Sequence, residues 1–250
     1  GRVDGTWFSA AGFTMLGHDH LDLHGDIEHY FAAKASLFSP SRTARAVIRA
    51  DDEWGSRLLA EVEVPTRPFR LADAEDLTVG AAGATYSWRG RTHSLPLGGR
   101  HNVANALCAA TIADWLGVGG EAIAEGVSAL PAVRGRFELV DAGQPFTVAV
   151  DYAHTPDALE TVLADVVVVT SDNPRSEDPA AIIDEIVAGT TDPTSVSVIP
   201  DRREAIHHAA RAAREHDVVV IAGKGHETTQ TFADRTIPFD DRTVVREALT

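Results

Sequence analysis

The sequence predicts an α/β protein of two domains, the second built on a parallel sheet covered on both faces. Two runs, DVVVVT at 165–170 and DVVVIA at 217–222, are almost unbroken β-branched strands, the pattern of strands buried on both sides. Amphipathic helical stretches alternate with them. Pro131 to Arg136 (PAVRGR) breaks this alternation with Pro and Gly, and it restarts afterwards, which divides the chain into 1–131 and 132–250.

In the first domain, FTML at 13–16 is a short apolar run that leads into the His- and Asp-rich GHDHLDLHGD. Ile27, Tyr30, Phe31, Ala35 and Phe38 then recur at helical spacing, with Asp26 to cap the helix and Pro40 to stop it. AVIRA at 46–50 reads as a strand and DDEWGSRLLAE as a helix opened by acids. From Leu77 to Leu97 polar and apolar residues alternate around turn residues Gly83 and Arg89-Gly90, predicting a β-meander or hairpin pair. NVANALCAATIADWLGV is a long helix ended by Gly117, and a second helix covers 121–129.

The second domain reads strand 146–150, helix 156–163, strand 165–170, helix 179–188, strand 195–199, helix 201–215 and strand 217–222. One junction is physically odd. ETVL runs into ADVVVVT without a turn residue, where a helix and the next parallel strand need about 2–6 residues of loop.

A hydrophobic content of 44% and a charged content of 24% fit a globular protein with a real core. The formal charge of −15 argues against nucleic acid and anionic membrane surfaces as partners. Cys108 is the only cysteine, which excludes an intrachain disulfide and fits a reducing compartment. No run approaches the roughly 20 apolar residues of a membrane span, and no export signal is visible at the start, so the expected location is the cytoplasm. The chain begins without Met, which leaves room for a processed or partial chain.

Five segments could carry chemistry. Asp19, His20, Asp22 and His24 could converge on a divalent cation, or simply form a polar, helix-capping loop. Lys34 sits among Phe31, Ala33 and Ala35, so its ammonium is either paired or reaches to solvent along an apolar stem. DYAHTPDAL at 151–159 follows a strand, so Asp151 and His154 either meet a ligand or only accompany the Thr155-Pro156 helix start. In TSDNPRSEDP at 170–179, Asp172, Asn173 and Arg175 stand on a proline-stiffened turn, where the guanidinium fork suits a carboxylate or the segment is only an Asx-type turn with a solvated Arg. In IAGKGHETTQ at 221–230, Gly223 and Gly225 expose backbone amides with Lys224, His226 and Glu227 close behind. A GxxxxGK[ST] phosphate loop occurs nowhere.

Taken together and in order, FTMLGHDHLDLHG, YFAAKASLF, HNVANAL, GRFE, VDYAHTPDAL, SDNPRSEDP and AGKGHE resemble the Mur ligase family, and within it the branch that adds diaminopimelate. The resemblance implies an incomplete Mur ligase central domain followed by a Rossmann-like parallel-sheet C-terminal domain. It implies an ATP-dependent amide-bond ligase that joins meso-diaminopimelate to UDP-MurNAc-L-Ala-D-Glu through an acyl phosphate, with Mg2+ on the phosphates, in a monomeric cytoplasmic protein of peptidoglycan synthesis. It makes His20 and Lys34 metal ligands, Lys34 as a carbamate. It sets Arg2 on the UDP-MurNAc-dipeptide, and Asn102, Arg136 and Asp151 near the nucleotide. Asp172, Asn173, Pro174, Arg175, Gly223 and Glu227 become the diaminopimelate pocket; His154, Lys224 and His226 receive no role.

The departures are equally specific. The family's N-terminal domain and phosphate loop are not in this sequence, Met15 stands where Asn is usual, and about one β/α unit is missing at Leu163–Ala164. The expectation is therefore a family member whose 250 residues do not form the acyl phosphate, and whose broken sheet leaves edges exposed. The alternatives are an inactive fragment that only binds ligand, or a folylpolyglutamate synthase-like ligase.

Overall fold

The computed structural model describes residues 3–17, 21–131, 133–153, 166–190 and 196–250. The chain divides into two compact units, Gly1–Pro131 and Ala132–Thr250.

In the first unit three parallel strands, β1 (Ala11–Phe13), β2 (Ala46–Arg49) and β3 (Thr66–Phe69), lie in that order. The central strand is buried on both faces because its side chains alternate between two cores. Ala46 and Ile48 pack with Phe13, Phe31, Phe38 and Leu58, whereas Val47 packs with Val103 and Leu107. After the short α1 (Leu21–His24), α2 (Ile27–Ala35) and α3 (Glu53–Glu61) supply the first of these cores. Asp26 caps α2 as the sequence predicts, accepting from His29 N at 2.8 Å. The helix itself stops at Ala35 and tightens into a 3-10 turn over Ser36–Phe38, five residues before Pro40 would force an end. β3 was not anticipated: Pro68 within TRPF demotes it as a strand, and it is tolerated because among the described residues β3 pairs only with β2.

The predicted meander is three antiparallel strands, β4 (Glu75–Val79), β5 (Ala84–Trp88) and β6 (Arg91–Leu95). Its β5–β6 turn is Arg89-Gly90 with φ of +51° and +71°, the conformation a two-residue hairpin requires. α4 (Arg100–Trp115) buries Val103, Ala104, Leu107, Cys108 and Thr111 along one stripe, and α5 (Gly120–Ser128) contributes Ile123. Burial pushes the Cys108 thiol up to about 12, so it is a packing residue rather than a reactive one.

One cross-strand pair in the meander is pH-sensitive. Tyr86 and His93 face each other across β5–β6 and stack with ring centroids 5.2 Å apart, and neither imidazole nitrogen has a hydrogen bond of normal geometry. Burial pushes the His93 imidazole below the usual histidine value. The unfolded chain therefore takes up a proton at higher pH than the folded one. Stability is full above the unfolded value of about 6.5 and declines as pH falls below it. The unfolding midpoint of the native chain is expected to drop between pH 7.5 and 5.5 by more than that of His93→Phe. An equal drop in the two proteins would contradict this.

The second unit is built on β8 (Thr147–Asp151), which lies between parallel β11 (Val218–Ala222) and the short antiparallel β7 (Glu138–Leu139). Val148 and Val150 pack with Ile206 of α7 (Arg202–Ala212) and with Val244 and Val245 of α8 (Asp241–Leu249). A second parallel ladder joins β9 (Val167–Val169) to β10 (Val196–Val198), followed and preceded respectively by α6 (Pro179–Ala188). Among the described residues these two ladders are not hydrogen-bonded into the single sheet that the Val-rich strands predict. The strand 165–170 contracts to three residues, and Val166 before it is 75% exposed. The predicted helix 156–163 and the unlooped junction at Leu163–Ala164 lie outside the described residues. A β-hairpin, β12 (Thr229–Thr231) with β13 (Thr236–Pro238), and α8 complete the unit, and neither was read from the sequence. No described helix is long and apolar enough to cross a membrane.

Candidate functional site

The polar groups of the second unit gather beyond the carboxyl ends of β9 and β11. After β9, Pro174 is buried and forces Asn173 towards extended backbone, and Arg175 turns the chain with a left-handed φ of +54°. This turn is stitched to β12 from both sides. Arg175 N donates to Thr231 O at 3.0 Å, and Thr231 N donates to Asn173 Oδ1 at 2.9 Å. The buried Gln230 donates from Nε2 to Ser171 Oγ at 3.1 Å and to Asp172 O at 2.8 Å.

After β11 comes Gly223-Lys224-Gly225. Gly223 has φ +112°, and a Cβ there would stand 3.2 Å from Asp172 Oδ2, so the carboxylate lies directly against bare backbone. Lys224 is fully buried and its ammonium reaches Asp172 Oδ1 and Asn173 Oδ1 at 3.2 Å each and Glu227 Oε2 at 3.4 Å. Asn173 Nδ2 donates to the same Glu227 oxygen at 2.5 Å. Beneath them, Arg202 and Asp241 form a buried bidentate pair at 2.8 and 2.7 Å, and Arg202 also donates to Ala222 O and Ser171 O. Burial opposes the charge on Arg202, but hydrogen bonding and attraction to Asp241 outweigh it and hold the guanidinium above the ordinary arginine value.

Asp172, Asn173, Pro174, Gly223 and Glu227 thus come together. The Arg175 side chain is exposed and makes no hydrogen bond or ion pair to a described residue, while its backbone is fixed. Asp151 ends β8, and both its oxygens accept backbone amides, from Phe137 N and Ala153 N at 2.7 Å each. Arg136 is exposed, with its guanidinium 5.1 Å from the Tyr152 ring centroid, and Tyr152 in turn meets the His226 ring at 5.3 Å. In the first unit, Asn102 donates from Nδ2 to Gly98 O at 2.7 Å, and its side-chain oxygen takes no hydrogen bond from a described residue. Lys34 is half-buried with Nζ 4.9 Å from the Tyr30 ring centroid. Arg2, His20 and His154 lie outside the described residues. Among the described residues no three His, Cys, Asp or Glu side chains cluster closely enough to hold a metal ion.

Lys224, Gln230, Arg202 and Asp241 are the contributors that sequence reading left without a role. Lys224 was visible between two glycines. A lysine in such a tight turn at the end of a buried strand was a signal for a paired, buried ammonium. Arg202 and Asp241 are 39 positions apart and carry no shared pattern.

Comparison with known proteins accords with these motifs. The Mur ligase middle domain matches residues 1–113, and the Mur ligase glutamate ligase domain matches residues 161–225. The proteins named UDP-N-acetylmuramoyl-L-alanyl-D-glutamate--2,6-diaminopimelate ligase from Streptomyces avermitilis and Solibacter usitatus are 40% and 41% identical to this chain. Each alignment takes in 100% of this chain and 60% of the relative. A solved structure of a protein with that name superposes with a TM-score of 0.59 at 30% identity, covering 96% of this chain and 60% of its own. The chain therefore spans about 60% of the length of the relatives it matches. The Streptomyces avermitilis alignment runs over 302 positions against 250 residues here, so stretches of that relative have no counterpart in this chain.

Proposed function

We propose, from the premise that the chain belongs to the Mur ligase family, that its second unit holds the acceptor amino acid of an ATP-dependent ligase that joins meso-diaminopimelate to UDP-MurNAc-L-Ala-D-Glu. One observation carries this reading. A carboxylate, an amide and an exposed guanidinium without a partner among the described residues stand on the locked turn after β9, and the turn after β11 brings a second carboxylate, Glu227, beside them, at the end of the sheet where ligands collect. Such a set complements an ammonium and a carboxylate on one carbon. Meso-diaminopimelate carries that arrangement at both ends, so one end is gripped and the other presents its amine for attack.

In the reaction, ATP converts the precursor's terminal carboxylate into an acyl phosphate. The free amine then forms the amide bond, phosphate leaves, and the amine's proton is released. ATP is the family's co-substrate. Mg2+ held by His20 and carbamylated Lys34 would neutralise charge on the phosphates; of these two residues only Lys34 is described. The residues of the second unit hold the acceptor: Asp172 and Glu227 take the far ammonium, and Arg175 takes the far carboxylate as a planar fork. Arg2, Asn102, Arg136 and Asp151 are proposed for the remaining substrates, although Asp151, with both oxygens on backbone amides, acts by fixing the loop that carries Arg136.

Lysine lacks the far carboxylate, which makes it the discriminating ligand. Calorimetric titration of the chain is expected to show meso-diaminopimelate binding at least about tenfold tighter than L-lysine. Arg175→Ala is expected to lose roughly 1.5–3 kcal/mol with diaminopimelate and little with lysine, because a charge-assisted pair is removed from only one of them. Equal affinities for the two amino acids in the unaltered chain would sink the assignment.

A further inference from the structure

We propose that Lys224 is a positioning residue that clips the two halves of the amino-acid pocket together and sets both its charge and the direction of its carboxylates. The proposal rests on the diaminopimelate reading above and goes beyond it by giving a role to a side chain that never faces solvent.

Lys34 and Lys224 are the only lysines in the chain, against twenty arginines. Lys224 is the more unusual of the two, being fully buried. A buried ammonium is costly unless its three donors are matched, and here they are, by Asp172 Oδ1, Asn173 Oδ1 and Glu227 Oε2. Two of these acceptors come from the turn after β9, and the third comes from the turn after β11 that carries Lys224 itself. The ammonium is thus a three-point tie between turns that are 51 to 52 residues apart in sequence.

The tie has a directional consequence. Lys224 occupies one oxygen of each carboxylate, and Asn173 Nδ2 reinforces the hold on Glu227. Asp172 Oδ2, lying against Gly223, and Glu227 Oε1 take no hydrogen bond from a described residue. These are the two oxygens left for an incoming ammonium. The charge count agrees. Arg202 and Asp241 cancel each other, and Lys224 cancels one of the two remaining carboxylates. That leaves one negative charge for one substrate ammonium and, at Arg175, one positive charge for the far carboxylate. A smaller donor could not reach all three oxygens, and a guanidinium would need more room than a fully enclosed lysine occupies.

The test uses the whole chain with meso-diaminopimelate as the probe. Lys224→Met is expected to weaken calorimetric binding about 10- to 100-fold, because Asp172 loses the hydrogen bond that aims it and Glu227 is left with Asn173 alone. The unfolding transition of each protein is measured alongside to show that it folds. A second measurement needs no variant at that position. With only two lysines, the 15N-ammonium spectrum of the chain holds few signals, and Lys34→Arg assigns the one belonging to Lys224. Saturation with diaminopimelate is expected to shift it, since the ligand shares both carboxylates with it; a lysine that merely filled space would not respond. A folded Lys224→Met protein that binds within twofold of the native chain overturns the role of Lys224 and leaves the substrate reading intact. So does a Lys224 signal that stays in place while the same sample shows binding heat. If the unaltered chain shows no binding heat at all, the substrate reading fails and the role of Lys224 falls with it.

Discussion

Asp241→Ala is expected to destabilise the second unit by about 3–5 kcal/mol, because it strands a buried arginine. Asp241 is fully buried, and Arg202 is 4% exposed. The two open their helices, α8 and α7, and meet through two parallel hydrogen bonds. Arg202 also donates to carbonyls from both ladders, Ala222 O at the end of β11 and Ser171 O just beyond β9. Without Asp241 the guanidinium must either remain unpaired or pull on Asp172 and Glu227, whose charges it already feels. Denaturant titration checks the magnitude, and a loss below about 1 kcal/mol would show that water reaches the pair. The double variant Arg202→Met, Asp241→Leu is expected to recover much of the loss, since an apolar pair of similar size removes both burial penalties together.

Gly135→Ala is the second large effect, at roughly 2–5 kcal/mol from backbone strain and forced displacement combined. Gly135 has φ +70°, and a Cβ there would fall 2.2 Å from His226 N and 2.4 Å from Gly225 C, both rigid backbone. The turn that carries Lys224 would have to retreat. The substitution is therefore expected to weaken diaminopimelate binding as well as to lower the unfolding midpoint, although residue 135 is not among the pocket residues. Loss of stability with unchanged affinity would mean that the turn moves as a rigid piece and keeps its grip.

Much of the fold was legible because it rests on local signals. Asp26 caps α2, Arg89-Gly90 turns the β5–β6 hairpin, and the Val-rich runs are parallel strands. What escaped is held by non-local pairing. β3 contains a proline that only an outer strand tolerates, and the β12–β13 hairpin is three polar or mixed residues a side, too short for a period to emerge. The pocket motifs were readable as strings, and the structure adds their connections: Gln230 and Thr231 as the backing of the Asp172–Arg175 turn, and Lys224 as its tie. The metal-site and dipeptide assignments at His20 and Arg2 lie outside the described residues.

Position 175 has a consequence for divergence. Its peptide group is bolted to Thr231, and its neighbours do the structural work, so the head group there is mechanically decoupled from folding. Selectivity can then drift by single substitutions without a compensating repair, provided that the newcomer tolerates a left-handed backbone. Asparagine meets that condition better than a β-branched residue does. On the proposed reading, a substitution at Arg175 is expected to change which amino acid is accepted while leaving the fold intact, whereas the same experiment at Asp172 or Glu227 would also remove a partner of the buried Lys224.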